Sequence, residues 1–294
     1  IAHPEEAFPG LHLSVTGCDE EKFLMNPTFG SLKSFLRSIA SVFLCAVLLA
    51  GCTSNTSGDL TESGLLKINS VAAPSAENYF RIPLMTNPPD LDPILVSDTT
   101  SDGVASKIFN TLLDYDPDLK LEPCLAKAMP VVSEDGRVYD FELRDDVSFS
   151  NGRKVTAHDL KYSLQRLASV RSKRSNLIKP IVGAEEAIAA SQKNQVISPE
   201  IRGIEVIDDL NLRLTLVEPY APFIYNLAMV NTAAVPREVV DEVGDSFSRQ
   251  PVGTGPFVLS EWKEGTSILL TANKDYFEGA PRLAGIHYRV IPES

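Results

Sequence analysis

The residues of this 294-residue chain that could carry out chemistry are few, and their spacing suits little of it. There is no Gly-x-Ser-x-Gly, no His-Glu-x-x-His and no phosphate-loop lysine motif. Nucleophile-elbow hydrolysis, zinc-peptidase chemistry and phosphate cradling therefore lack their residues. Asp114-x-Asp116-x-Asp118 opens like a calcium loop. Its sixth position, however, is Leu119 where the sharp turn needs Gly, and its twelfth is Leu125 where the bidentate ligand needs Glu. The expectation is a solvated turn. Gly253-Thr254-Gly255-Pro256 is rich in glycine, but Pro256 has no N–H to give an anion, so it too reads as a turn. His158 falls in the first turn of an expected helix and His287 in an expected strand, positions that suit surface or structural roles. No catalytic residue, metal site or cofactor is expected, and the chain does not read as an enzyme.

One thiol is different. Met25 is the first methionine, Lys33 and Arg37 make a basic flank, and an apolar run of eleven residues, 39–49, follows. That run is too short to span a bilayer, which takes ~20 residues. It fits the core of a secretory signal. It ends in Leu49-Ala50-Gly51-Cys52, which resembles a bacterial lipobox, so Cys52 is the expected site of lipid attachment. Residues 25–51 are then a lipoprotein signal peptide, and residues 1–24 an upstream, non-native extension. Cys18 and Cys45 precede the cut, which leaves Cys124 without a disulfide partner, and it is expected to be buried as a small hydrophobe. Residues 52–78, rich in Ser, Thr, Asn, Gly and Ala, read as a flexible tether with a reach of roughly 25–30 Å.

Composition narrows the partners. Hydrophobic residues make up 44% and charged residues 22%, which are globular values. With 27 Lys+Arg against 39 Asp+Glu, the formal net charge is -12, so a surface that tracks nucleic-acid phosphates is not expected. Anionic lipid would not attract the chain either, so the lipid on Cys52 has to supply the anchoring.

The elements that must position any site follow from periodicity and turn residues. Residues 79–84 read as a strand. Val104, Ile108 and Leu112, with Phe109 and Leu113, form one apolar stripe of a helix expected over 103–113, with Thr100 or Ser101 as its N-cap. Asp135-Gly136 separates a hairpin, Val131-Val132 with 138–143, whose Tyr139, Phe141 and Leu143 share the buried face. After Asn151-Gly152, Thr156 and Asp159 make a capping box, and Val155 is placed to staple Leu160. Arg171, Lys173 and Arg174 read as a solvated loop. A second hairpin pairs 204–207 with 212–216, short helices start near Pro222 and Pro236, and a third hairpin pairs 257–261 with 267–271. A last strand covers 286–291. This is an α/β pattern with short strands and many tight turns.

Four ordered stretches then carry a resemblance. They are Leu91-Asp92-Pro93; Leu121-Glu122-Pro123-Cys124-Leu125-Ala126; the run from Asp135-Gly136 through Tyr139-Asp140-Phe141-Glu142-Leu143-Arg144-Asp145-Asp146-Val147, Asn151-Gly152 and Thr156-Ala157-His158-Asp159 to Tyr162-Ser163 and Arg166; and Gly253-Thr254-Gly255-Pro256-Phe257, Trp262 and Asn273-Lys274-Asp275-Tyr276-Phe277. Together they resemble the N-terminal half of the family-5 extracellular solute-binding proteins, the peptide- and nickel-binding components of bacterial ABC importers. The resemblance implies a type II periplasmic-binding-protein-like α/β lobe with mixed sheets over 79–294 and an inserted α/β subdomain at about 110–235. It also implies a chain truncated before the second lobe. It implies capture of oligopeptides or similar small solutes, ABC permease partners, a monomer, and a membrane-anchored lipoprotein in the periplasm or at the cell surface. A surface lipoprotein with an adhesion or signalling role is the alternative on the same lobe. By the same resemblance Ser97, Asp98, Thr99 and Thr100 face the ligand cleft, with Ser175 and Asn176 nearby. A plain N-cap loop accounts for the first four residues equally well.

Overall fold

Tight turns set most of the strand pairing. A computed structural model describes residues 78–196 and 198–291. The signal segment, Cys52 and nearly all of the tether lie outside the described residues. In chain order the elements are β1 (Tyr79–Leu84), α1 (Thr99–Ala105), β2 (Leu113–Tyr115), β3 (Leu121–Pro123), β4 (Val131–Val132), β5 (Val138–Glu142), α2 (Ala157–Arg166), α3 (Ala184–Asn194), β6 (Ile204–Asp208), β7 (Asn211–Thr215), α4 (Phe223–Asn226), α5 (Arg237–Val243), β8 (Phe257–Lys263), β9 (Ser267–Ala272) and β10 (Gly285–Val290). One sheet has the order β4-β5-β7-β6 and is antiparallel throughout. Gly136, at φ 69°, supplies the left-handed residue that lets β4 turn into β5. The other four-stranded sheet has the order β1-β10-β9-β8 and mixes a parallel β1–β10 pair with antiparallel hairpin strands. β2 and β3 form a separate ribbon.

Each four-stranded sheet has its own core. Tyr139, Phe141, Leu212, Leu214 and Leu216 present the inner face of β5 and β7 and the chain just after β7 to Leu160, Leu164 and Leu167 of α2 and to Phe223. The outer face of the same strands is polar: Arg213 donates to both oxygens of Asp140 across the ladder, at 2.6 and 2.9 Å. The second core gathers Ile268, Leu270, Ile286 and Tyr288 beneath Val104, Ile108, Phe109 and Phe247. α2 starts as its capping pattern requires, with the Thr156 N–H donating to Asp159 Oδ2 at 2.9 Å. Arg153 then locks the same carboxylate with two bonds of 3.0 and 2.6 Å and reaches Glu238.

Two expectations about helices fail for physical reasons. α1 begins at Thr99 and is capped by Asp98, whose Oδ1 accepts the Ser101 N–H at 2.9 Å, instead of by Thr100 or Ser101. It also ends at Ala105. The Lys107 and Ile108 carbonyls are taken by the Phe257 and Gly255 N–H groups at 3.0 and 2.8 Å, and the Asn110 carbonyl by Ala234 N–H at 3.2 Å. The apolar stripe is buried as its spacing requires, but tertiary backbone bonds replace the helical ladder. α3 was not expected. It buries only Ala184, Ala187 and Ser191, side chains too small to mark an apolar stripe.

Burial also sets an alkaline limit. It pushes the Cys124 thiol from 9.0 to about 12, with the nearby charges of Asp114 and Glu278 adding to it. It also pushes the Tyr162 and Tyr288 phenols from 10.0 to about 12. Each group holds its proton more tightly folded than unfolded. Their stabilising contribution is therefore complete below the unfolded values and is lost as pH climbs through the folded ones. The expected result is an unfolding temperature that is flat up to about pH 9 and falls steeply above it, read by circular dichroism melts.

Candidate functional site

The stretch from Leu91 to Val96 is held from several sides. The Leu91 N–H donates to Ser248 Oγ at 2.8 Å. The Asp92 carbonyl accepts the N–H groups of Leu95 and Val96 at 2.8 and 3.2 Å, and its carboxylate caps Ile94 N–H at 3.3 Å. That carboxylate also receives Arg166 of α2 in a two-pronged pair, Nη1 at 3.1 Å and Nη2 at 2.6 Å. The two side chains are 3% and 5% exposed, so the pair is shielded from water. The guanidinium lies 5.9 Å from the Tyr162 ring centroid and 5.7 Å from that of Phe247. Buried Asn231 donates through Nδ2 to the Pro93 and Val96 carbonyls, at 2.7 and 2.9 Å. The Ile94 carbonyl accepts Lys173 N–H at 2.9 Å.

This fixed stretch delivers the residues expected at a ligand. Ser97 and Thr99 are exposed, and Asp98 and Thr100 are half-buried. Asp98 is the cap of α1, and Thr100 Oγ1 lies 3.4 Å from Thr86 Oγ1. Half-buried Ser175 and exposed Asn176 open a 3-10 turn, Ser175–Ile178, which Asn226 Nδ2 anchors through the Leu177 carbonyl at 2.9 Å. The two segments are joined by Arg174, whose Nη2 donates to the Ser97 carbonyl at 3.3 Å. This corrects the solvated-loop expectation for Arg174, while Arg171 pairs with exposed Asp245. One turn into α1, burial raises the carboxyl of Asp102 above its ordinary value. Lys107 opposes that, Asp98 adds to it and Arg174 opposes it.

Two cavities flank these segments. Asn176 lines one of about 990 Å³ with Lys179, Glu186, Arg202, Tyr220 and Asn226. Asp102 lines a second of about 310 Å³ with Ser106, Asn110, Asp114, Tyr115 and Met229. The surroundings offer hydroxyls, amides, carbonyls and charges of both signs, which suit the orientation of a polar solute. The other sequence candidates are engaged elsewhere. Asp116 Oδ1 accepts the N–H groups of Asp118 and Lys120, each at 2.8 Å, so that carboxylate closes its own turn. His158 is exposed, 3.8 Å from Asp209. His287 faces Arg81 and Leu269 in the ladder of β10. Sequence reasoning missed the supporting roles of Arg166, Asn231 and Ser248. Asp92 and Arg166 lie 74 residues apart, so nothing in their spacing marks them as partners.

Comparison with known proteins bears on the family and the fold. A family model described as bacterial extracellular solute-binding proteins, family 5 Middle, matches residues 120–294. The glutathione-binding protein GsiB of Salmonella paratyphi A is 30% identical over 207 residues, covering 69% of this chain and 36% of that protein. Protein XP55 of Streptomyces lividans is 32% identical over 250 residues, covering 84% of this chain and 40% of that protein. Among solved structures, peptide-bound OppA of Listeria monocytogenes superposes with a TM-score of 0.67 at 25% identity, covering 74% of this chain and 43% of that one. The chain therefore spans well under half the length of these relatives.

Proposed function

From a chain that belongs to the bacterial extracellular solute-binding proteins of family 5, we infer the first lobe of the substrate-binding component of a peptide-type ABC importer. It captures oligopeptides or similar small solutes and passes them to permease subunits. The observation that carries this reading is the stretch from Leu91 to Val96, pinned by buried groups and ending in the exposed Ser97 and Thr99, on a fold shared with peptide-bound OppA. A loop of that kind can pair its backbone with an extended ligand as an added strand would. The protein works by binding without chemistry: solute favours a closed form over an open one by binding it more tightly. It is exported, held at the membrane by lipid on Cys52, and acts as a monomer, with 52–78 as the tether and 79–294 as the lobe. The acidic balance of the chain supports solute capture over nucleic-acid binding.

The test is thermal unfolding of the whole protein with tri-alanine, glutathione and a pool of longer peptides. The expected result is a concentration-dependent rise in unfolding temperature with at least one of them. A melting curve that no peptide moves would sink the reading.

A further inference from the structure

We propose that Arg174 is a positioning residue, a latch that holds the loop of Ser97, Asp98, Thr99 and Thr100 in the conformation a ligand meets. What the loop does rests on the solute-binding reading above; what Arg174 does rests on geometry.

The loop passes from a clamped stretch into a helix, and one peptide unit joins the two. Upstream, the carbonyls of Asp92, Pro93, Ile94 and Val96 are taken by backbone N–H groups or by buried Asn231. Downstream, the Asp98 carbonyl accepts the Asp102 N–H of α1 at 3.0 Å. Between them the Ser97 carbonyl has Arg174 Nη2 as its partner, from 77 residues away in the chain. Without that bond, the Ser97–Asp98 peptide unit can turn over while both flanks stay fixed. Turning it moves Asp98, and Asp98 Oδ1 is what caps the Ser101 N–H. One side-chain bond thus governs both the loop and the start of α1.

The Arg174 side chain is also placed unlike that of a free surface cation. Its Nε is buried and has no partner among the described residues. A donor left in that state costs free energy, so the group is held beneath the loop by something other than its own solvation. Arg171, three residues earlier, is instead in an exposed pair with Asp245. Arg174 immediately precedes the Ser175–Ile178 turn. The latch therefore couples the two segments expected at the ligand.

Hydrogen exchange of this chain tests the latch without a ligand. In Arg174→Ala the Ser101 and Asp102 amides are expected to exchange roughly three- to tenfold faster, with other regions and the unfolding temperature unchanged. Arg171→Ala is expected to leave both amides as they were. Arg174→Lys, which keeps a charged donor, is expected to recover most of the protection. Unchanged exchange in Arg174→Ala would overturn the proposal, and so would a uniform increase with a lower melting point, the mark of a merely structural residue. A second arm follows dissociation of tri-alanine and glutathione from the whole protein. Release accelerated by a similar factor supports the proposal. A loosened loop with unaltered release overturns the ligand-facing part. If no peptide, the pool of longer ones included, binds the unmutated protein, the solute reading falls, and the exchange arm still decides the role of Arg174.

Discussion

Arg166→Met is expected to destabilise the lobe by about 3–5 kcal/mol, because it leaves the Asp92 carboxylate buried without its cation. The size follows from the shielding: both partners are almost fully buried and the bonds are two-pronged. Asp92→Ala should cost at least as much. It strands the guanidinium between Tyr162 and Phe247 and also removes the acceptor of the Ile94 N–H. Replacing both, as Asp92→Leu with Arg166→Met, is expected to recover a large part of the loss, since an apolar pair brings no desolvation penalty. Urea midpoints of the three variants decide this. A single variant within about 1 kcal/mol of the parent would show that water reaches the pair. Arg202→Ala serves as the contrast: its pair with Glu186 is exposed on both sides, and no measurable loss is expected.

Gly253→Ala and Gly255→Ala are expected to prevent the chain from folding to a soluble lobe. A methyl on Gly253 would sit 2.1 Å from the Ile108 carbonyl oxygen, and one on Gly255 would sit 2.5 Å from the Ile108 carbonyl carbon. Both obstacles are backbone, so no rotamer relieves them. The joint cannot simply open either. Gly255 N–H donates to Ile108 O at 2.8 Å, Ser150 N–H donates to Gly253 O at 2.8 Å, and fully buried Thr254 exchanges hydrogen bonds with Asn110. A cost above about 4 kcal/mol, enough to unfold a marginally stable domain, is the expected scale. Gly103→Ala is the control. Nothing lies within 4 Å of the added methyl, and the site is inside α1, so a gain of about 0.5–1 kcal/mol is expected. Soluble yield and urea denaturation read all three, and a folded Gly255→Ala variant of normal stability would contradict the packing described.

These variants also show which parts of the molecule were legible in its sequence. Local rules worked where the partners are close along the chain. Asp135-Gly136 announced β4–β5, Thr156 and Asp159 announced the start of α2, and the alternation in 138–143 identified its buried face. They failed where distant backbone competes. Val104, Ile108 and Leu112 sit on one stripe in sequence, yet the helix stops at Ala105, and Phe257 and Gly255 take the Lys107 and Ile108 carbonyls that follow it. Gly253 and Gly255 read as turn residues, whereas the structure uses their lack of a side chain for contact between backbones. At the candidate site the exposed hydroxyls could be proposed from a family resemblance. The groups that hold them could not, because Arg174 looks like any loop cation until Ser97 is seen beside it.

The parallel pairing of β1 with β10, from Tyr79 opposite Gly285 to Leu84 opposite Val290, has a consequence for biosynthesis. The sheet of β4 to β7 uses residues from Val131 to Thr215 and can assemble on a nascent chain soon after that stretch emerges. β1, made earlier, must wait unpaired until Gly285–Val290 has been translated, with Phe80 and an open strand edge available to other chains. Closing so long a loop is a slow, entropically opposed event. The interval before β10 arrives is therefore when a newly made copy is most in need of a holding chaperone.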